Sequence, residues 1–212
     1  METCYIFGAG DFTPCTIDLT SKDLVIAADG GYDYLIRLGL RADVVLGDFD
    51  SVTSPDLWDD AICEKLTYPP EKDDTDMMLA IKKGLERGCR EFHLYGGTGG
   101  RRSDHTVANY QALLYLARRG ARGWLYGNGE IYTAVCGKGK ITFPARADGI
   151  LSVFCLGEMA AGVTIRGAHY SVENAVLTPD FPLGCSNHFI GRPITVSVER
   201  GDLLLGLHEV EE

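Results

Sequence analysis

Residues 44–51 read VVLGDFDS, an apolar run that ends in two aspartates with one phenylalanine between them. The run is short and β-branched, the form of a strand buried inside a sheet. Strand alternation puts Asp48 and Asp50 on the same side of the chain, with two like charges close together. A fold does not need that repulsion, and a bound cation relieves it. Hard cations such as Mg²⁺ prefer carboxylate oxygens, so a magnesium site is expected at the end of this strand.

Working outward, the chain up to about residue 130 alternates short apolar runs with helical patterns. Residues 4–7, 24–28, 44–46, 92–95 and 124–126 read as buried strands. Residues 32–38, 75–85 and 107–117 carry apolar positions at helical spacing, with Val107, Tyr110, Leu114 and Ala117 on one face. Such alternation implies a parallel sheet covered by helices on both sides. Beyond residue 130 the pattern changes. Residues 131–135, 140–143, 150–154, 163–165, 171–177, 194–198 and 203–207 are short strand-like pieces punctuated by Gly and Pro, with no helical segment between them. They predict a small antiparallel sandwich or barrel. The expectation is an α/β protein of two domains: a parallel-sheet α/β domain over 1–130 and an antiparallel β-sandwich over 131–212.

The 212 residues suffice for two compact domains, and a net charge of -10 argues against nucleic acid or an anionic membrane as the main partner. No apolar segment is long enough to span a bilayer. The start, METCYIFGAGDF, lacks the basic region of a secretory leader. Seven cysteines, none in a CxxC pair, read as reduced thiols rather than a disulfide framework or a zinc site. A cytoplasmic location is expected.

In open α/β sheets, ligands bind beyond the carboxyl ends of the strands. Asp29 follows LVIAA, and Asp48 and Asp50 follow VVLG; Asp73, Asp74 and Asp76 open a helix, and Asp104 sits in the first turn of the next. All can gather along one edge. Taken singly, Asp73, Asp74 or Asp104 is better accounted for by capping of helix N–H groups, and a turn equally accounts for Asp29; the coincidence of so many on one edge favours function. The stretch YGGTGGRRSDH, residues 95–105, supplies the complementary charge. Its glycines, Gly99 and Gly100 among them, let backbone N–H groups approach a phosphate, and Arg101 and Arg102 offer guanidinium forks. It is not a Walker A loop. GAGDF, residues 8–12, lacks the third glycine of a dinucleotide fingerprint and reads either as a tight turn or as a phosphate contact. Carboxylates, a glycine-rich loop and arginines together point to chemistry on a polyphosphate.

ADGGYDYL, VVLGDFDS, EKDDTDMMLA and GGRRSDHTVAN, followed in the second half by GAHYSVENAVL and LGCSNHF, resemble in this order the motif series of the thiamine pyrophosphokinases. The resemblance implies transfer of a pyrophosphoryl group from ATP to the thiamine hydroxyl, giving thiamine diphosphate and AMP. It also implies an α/β domain followed by a β-sandwich, and a homodimer with active sites where the subunits meet. By motif, Asp48, Asp50 and Asp76 would hold Mg²⁺ on the ATP phosphates, with Asp29 at the same edge. Lys72, Asp73 and Thr75 would line the nucleotide side. Arg102 and Asp104 would contact the transferred phosphates, and Asp104 and Asp73 are the candidates to accept the hydroxyl proton. Ser186 and Asn187 would hydrogen-bond the thiamine pyrimidine. The family commonly shows one arginine after the paired glycines; Arg102 aligns by its spacing to Asp104, leaving Arg101 as an insertion or a second phosphate contact. Some relatives stack a tryptophan on thiamine from the second domain. Here Trp58 and Trp124 both lie in the first half, so Phe189 stands as either that partner or a core residue.

Two other readings compete. DFDSV also fits the DxDx[TV] pattern of haloacid-dehalogenase-like phosphatases, in which Asp48 would be the nucleophile. That motif usually occupies the first strand of such enzymes, and here two strand-like segments precede it. A sensor that binds thiamine or nucleotide without turnover is the non-catalytic alternative.

Overall fold

The computed structural model describes residues 3–13, 17–49, 63–100 and 102–208. Asp50 and Arg101 lie outside this set. The chain divides into two units, Met1–Ala112 with Ala121–Asn128, and Leu113–Gly120 with Gly129–Glu212.

The first unit follows the strand–helix alternation. In chain order it contains β1 (Thr3–Phe7), β2 (Leu24–Ala28), α1 (Gly31–Leu38), β3 (Val44–Gly47), β4 (Glu64–Thr67), α2 (Asp76–Glu86), β5 (Glu91–Tyr95), the start of α3 (Ser103–Ala117) and β6 (Arg122–Gly127). The strands lie in the order β4-β3-β2-β1-β5-β6, and every pairing is parallel. Strands β2 and β3 are buried along their whole length because helices cover both faces of the sheet. On one face Phe7, Val25, Ala27, Val45 and Tyr95 pack with Tyr32 and Leu35 of α1. On the other, α2 comes so close that a Cβ at Gly84 would meet the Phe92 ring and Cys4 Sγ. Sequence order reverses between β1 and β5, which makes their carboxyl ends the switch point where α/β sheets bind ligands.

Two boundaries differ from expectation, each for a physical reason. β4 escaped the pattern because it is an edge strand, its residues EKLT alternating between partly buried and exposed with almost no apolar signal. α3 begins at Ser103, four residues before its apolar spacing becomes readable at Val107, because its first turn is polar and solvent-facing.

The second unit contains β7 (Glu130–Cys136), β8 (Gly139–Phe143), β9 (Ile150–Cys155), β10 (Ala160–Arg166), β11 (Val172–Leu177), β12 (Gly184–His188), β13 (Ile194–Val198) and β14 (Asp202–His208). They form antiparallel arrays ordered β12-β9-β14-β7 and β11-β10-β13-β8. Strict in–out alternation in β9 and β13 marks sheets with one face in a core, which Leu151, Val153, Ile194 and Val196 help fill. β12 was not legible as a strand because GCSNH has no alternating apolar residues. The six described cysteines carry free thiols, and among the described helices none is long and apolar enough to cross a membrane.

Candidate active site

A cleft of about 870 Å³ opens at the carboxyl edge of the parallel sheet, within the size range of small-molecule sites. Gly8 and Gly10 after β1, Asp29 after β2, Asp48 after β3, the segment before α2 and the β5–α3 loop all line it.

The acidic wall comes first. Asp29 is nearly buried, in a left-handed backbone conformation (φ 51°), with its N–H bonded to Leu46 O at 2.8 Å. Gly47, next along β3, has φ 144°, and a Cβ there would crowd Asp29 at 3.2 Å, so this glycine permits the close approach of the two strand ends. β3 stops at Gly47, and Phe49 takes φ 64°, rare for a bulky residue. β3 has therefore ended before Asp48, and the relation expected between Asp48 and Asp50 lies outside the described residues. Asp48 lines the cleft, while Phe49 packs toward the α1-side core with Lys65 Nζ 5.1 Å over its ring.

Lys72, Asp73, Thr75 and Asp76 also line the cleft. The N-cap of α2 is Thr75, whose Oγ1 accepts from Met78 N at 3.2 Å. Capping therefore does not explain Asp73 or Asp74, which precede the helix. Asp74 is held by Lys82 Nζ at 2.6–2.7 Å; Asp73 is exposed toward the cleft. Asp76 sits in the first turn, where the helix dipole favours a negative charge. Its Oδ1 is buried and accepts no hydrogen bond among the described residues; Lys72 Nζ, at 2.9 Å, supplies opposite charge without hydrogen-bond geometry.

A second stretch of the lining is the loop after β5. Gly8 N–H bonds Tyr95 O and Gly10 N–H bonds Gly96 O, each at 2.8 Å. A Cβ at Gly10 would stand 2.7 Å from Gly96 O, and one at Gly96 would collide with Gly8 O. The glycines of GAG let two loops touch backbone to backbone, and Gly8 and Gly10 also line the cleft, where a phosphate contact is expected. Asn109, buried on α3, donates from Nδ2 to Gly97 O at 2.6 Å and ties the loop to the helix. That role was missed in the sequence. Its only signal was an amide amid the apolar positions of a helix.

Gly99, Gly100 and Arg102 line the cleft; Asp104 does not. Asp104 instead grips the Arg102 guanidinium, with Nε to Oδ1 at 3.0 Å and Nη2 to Oδ2 at 2.7 Å. The arginine holds the Asp104 carboxyl at about 2, which makes it a poor base. Arg102 Nη1 makes no hydrogen bond among the described residues.

Ser186 and Asn187 lie on β12, the edge strand of its sheet. The pairing with β9 shifts register between Gly184 and Asn187, a bulge that projects Ser186 outward at φ 57° with its N–H on Ser152 Oγ at 3.1 Å. Asn187 is 4% exposed, and its carboxamide is already engaged. Oδ1 accepts from Tyr170 N and His188 N at 2.9 and 3.0 Å, and Nδ2 donates to Tyr170 O at 2.7 Å. Phe189 is buried, which makes it a core residue rather than a stacking platform.

Residues 18–125, more than half of the chain, match the model of the thiamin pyrophosphokinase catalytic domain, and residues 139–203 match that family's vitamin B1 binding domain. The chain belongs to the thiamin pyrophosphokinase family. It is 27% identical over 185 residues to the thiamine pyrophosphokinase of Bacillus subtilis (strain 168), covering 86% of each chain. A solved thiamine pyrophosphokinase from Bacillus subtilis superposes with a TM-score of 0.86 at 23% identity over the whole of both chains. One from Geobacillus thermodenitrificans gives 0.84 at 25% identity, over 100% of this chain and 99% of that one. ATP-dependent pyrophosphorylation of thiamine is the activity that membership in the thiamin pyrophosphokinase family carries, and Mg-ATP is the form of nucleotide such a kinase uses. The phosphatase and sensor readings fall with it.

Proposed function

We propose that the chain works as two domains, an α/β domain over 1–130 whose cleft binds the triphosphate of ATP and a β-sandwich domain over 131–212 that presents Ser186 to thiamine. The observation that carries this reading is the joint lining of one cleft. Asp29, Asp48, Asp73 and Asp76 line the same cleft as the glycine-rich loop with Arg102, so carboxylates for a cation and donors for phosphate share one space.

Magnesium is the ion this wall would take, because its donors are hard carboxylate oxygens. Among the described residues no three such side chains are already gathered as a metal site, and Asp76 Oδ1, buried without a hydrogen bond, faces Lys72 Nζ at 2.9 Å. Asp48 and Asp76 would hold the ion, together with Asp50 of the same motif. When bound, it neutralises charge on the transferred group and on the leaving α-phosphate. Lys72 balances Asp76 and stands within the same cleft to meet phosphate oxygens. Arg102 is aimed by Asp104 and offers its remaining nitrogen, Nη1, to the transferred group; Arg101 would add a second phosphate contact. With Asp104 gripping Arg102, Asp73, exposed toward the cleft, would accept the proton of the thiamine hydroxyl as it attacks the β-phosphorus in line and AMP leaves. Ser186 contacts the pyrimidine. Asn187 holds the segment around Tyr170 against β12 and supports that contact from behind.

The protein acts as a cytoplasmic homodimer with sites at the subunit interface. In support of a covered surface, the second unit leaves Tyr170, Val176, Phe181 and Leu183 more than half exposed. The deciding experiment incubates purified protein with ATP, Mg²⁺ and thiamine and separates the products. Thiamine diphosphate appearing in step with AMP is expected; ADP with thiamine monophosphate would mean single-phosphoryl transfer and would overturn the reading.

A further inference from the structure

Asp11 takes no part in the roles assigned so far, yet it is joined to the glycine-rich loop in three ways. Its N–H bonds Thr98 O at 3.0 Å, and the two residues form an antiparallel bridge. Its carboxylate accepts the Gly100 N–H at 2.7 Å across 89 residues of sequence. The same carboxylate lies over Gly99, where any Cβ would strike it. Gly99 and Gly100 both line the cleft, whereas Asp11 does not, so the carboxylate reaches the loop from outside the cleft. Asp11 is itself anchored: Gly10 O accepts from Tyr34 Oη at 2.7 Å, and Phe12 stacks on Tyr34 at 5.1 Å.

We propose that Asp11 is a positioning residue that sets the conformation of the phosphate loop through the Gly100 amide. Two successive glycines at φ 68° and 72° have a wide choice of backbone conformations, and ordering them costs entropy. A charge-assisted hydrogen bond to the second of them selects one conformation before nucleotide arrives. Gly100 has one N–H, and Asp11 occupies it. This residue therefore contributes shape to the cleft, and amides earlier in the loop face the phosphates. The proposal rests on the reading of this loop as the ATP-phosphate wall.

The test uses full-length protein labelled with [¹⁵N]glycine and Mg-α,β-methylene-ATP as the non-transferable probe. In the wild type, the Gly99 amide resonance should move on addition of the probe. In Asp11→Ala, the Gly100 resonance should change before any probe is added. Affinity for the probe should fall about tenfold, the worth of one charge-assisted hydrogen bond, with thiamine affinity unchanged. Asp11→Asn, which keeps an acceptor oxygen, should restore most of the affinity. Asp11→Glu, which keeps the charge but displaces it by a methylene, should not; this variant answers the question should Asp11→Ala fail to fold. Wild-type probe affinity in Asp11→Ala or Asp11→Glu, or a drop in melting temperature with unchanged affinity of the folded protein, would overturn the proposal. A wild-type Gly99 resonance indifferent to the probe would overturn it differently, by removing the phosphate reading while the ligand-free Gly100 resonance still reports the bond to Asp11.

Discussion

At the scale of single residues, the gathering of carboxylates along one cleft is what marks the candidate site. Replacing Asp48 by Asn removes one negative charge from the acidic wall. The expected result is a fall in kcat of about a hundredfold or more with an unchanged or raised melting temperature, because catalysis loses a charged ligand while the fold loses a repulsion. A steady-state assay beside a thermal melt checks both halves. Ser186→Ala should raise the KM for thiamine and leave that for ATP in place; the reverse pattern would remove Ser186 from the thiamine site. His93 offers a pH handle away from the cleft. Burial pushes its pKa below the usual 6.5, and its ring lies between Tyr5 and Tyr126 with Nδ1 2.8 Å from Tyr126 Oη. The unfolded chain therefore binds the proton more readily than the folded one. Stability from this group is full above about 6.5 and declines as pH falls toward the lower folded value. Urea midpoints between pH 7 and 5 should fall less steeply for His93→Phe, which keeps the stacking and cannot titrate.

At the scale of elements, helix starts and strand ends do the positioning. α2 is capped by Thr75, and Lys72, Asp73 and Asp76 flank that cap at the cleft. Thr75→Ala should cost about 1 kcal/mol, seen by calorimetry as a melting temperature lower by about 2–4 °C. Activity should suffer more than stability, because fraying of the first turn moves the carboxylates. Thr75→Ser should recover both. The same scale explains which elements were legible in the sequence. Strands buried on both faces, such as LVIAA and VVLG, announce themselves as apolar runs. EKLT and GCSNH do not, because edge strands keep one side in solvent and hold their place through ladder hydrogen bonds that no side-chain pattern encodes.

At the scale of the whole molecule, the exposed apolar residues of the second unit and the proposed interface make association measurable. Sedimentation at micromolar concentration should give about twice the 23.1 kDa of one chain. Phe181→Glu should shift the protein toward the monomer and lower activity in parallel. A single 23.1 kDa species at every concentration would refute the dimer.

The alternation of buried strands with helices, the change from α/β to antiparallel β and the clustering of aspartates after strands were determined locally, by apolar periodicity and by the position of charge relative to it. The sequence alone therefore sufficed for the class of fold, and it pointed to the sheet edge at which the cleft opens. Other features depended on contacts between segments far apart in the chain. Gly96 meets Gly8, Asp11 takes the Gly100 amide, Asn109 holds Gly97, and Asn187 turns its amide onto Tyr170 instead of outward. Phe49 adopts a left-handed backbone that no strand pattern foretells. Periodicity records which side of an element is apolar. It carries no information on which distant backbone group a polar side chain meets, and that partner decides whether an aspartate or an asparagine faces a substrate or holds the loop that does.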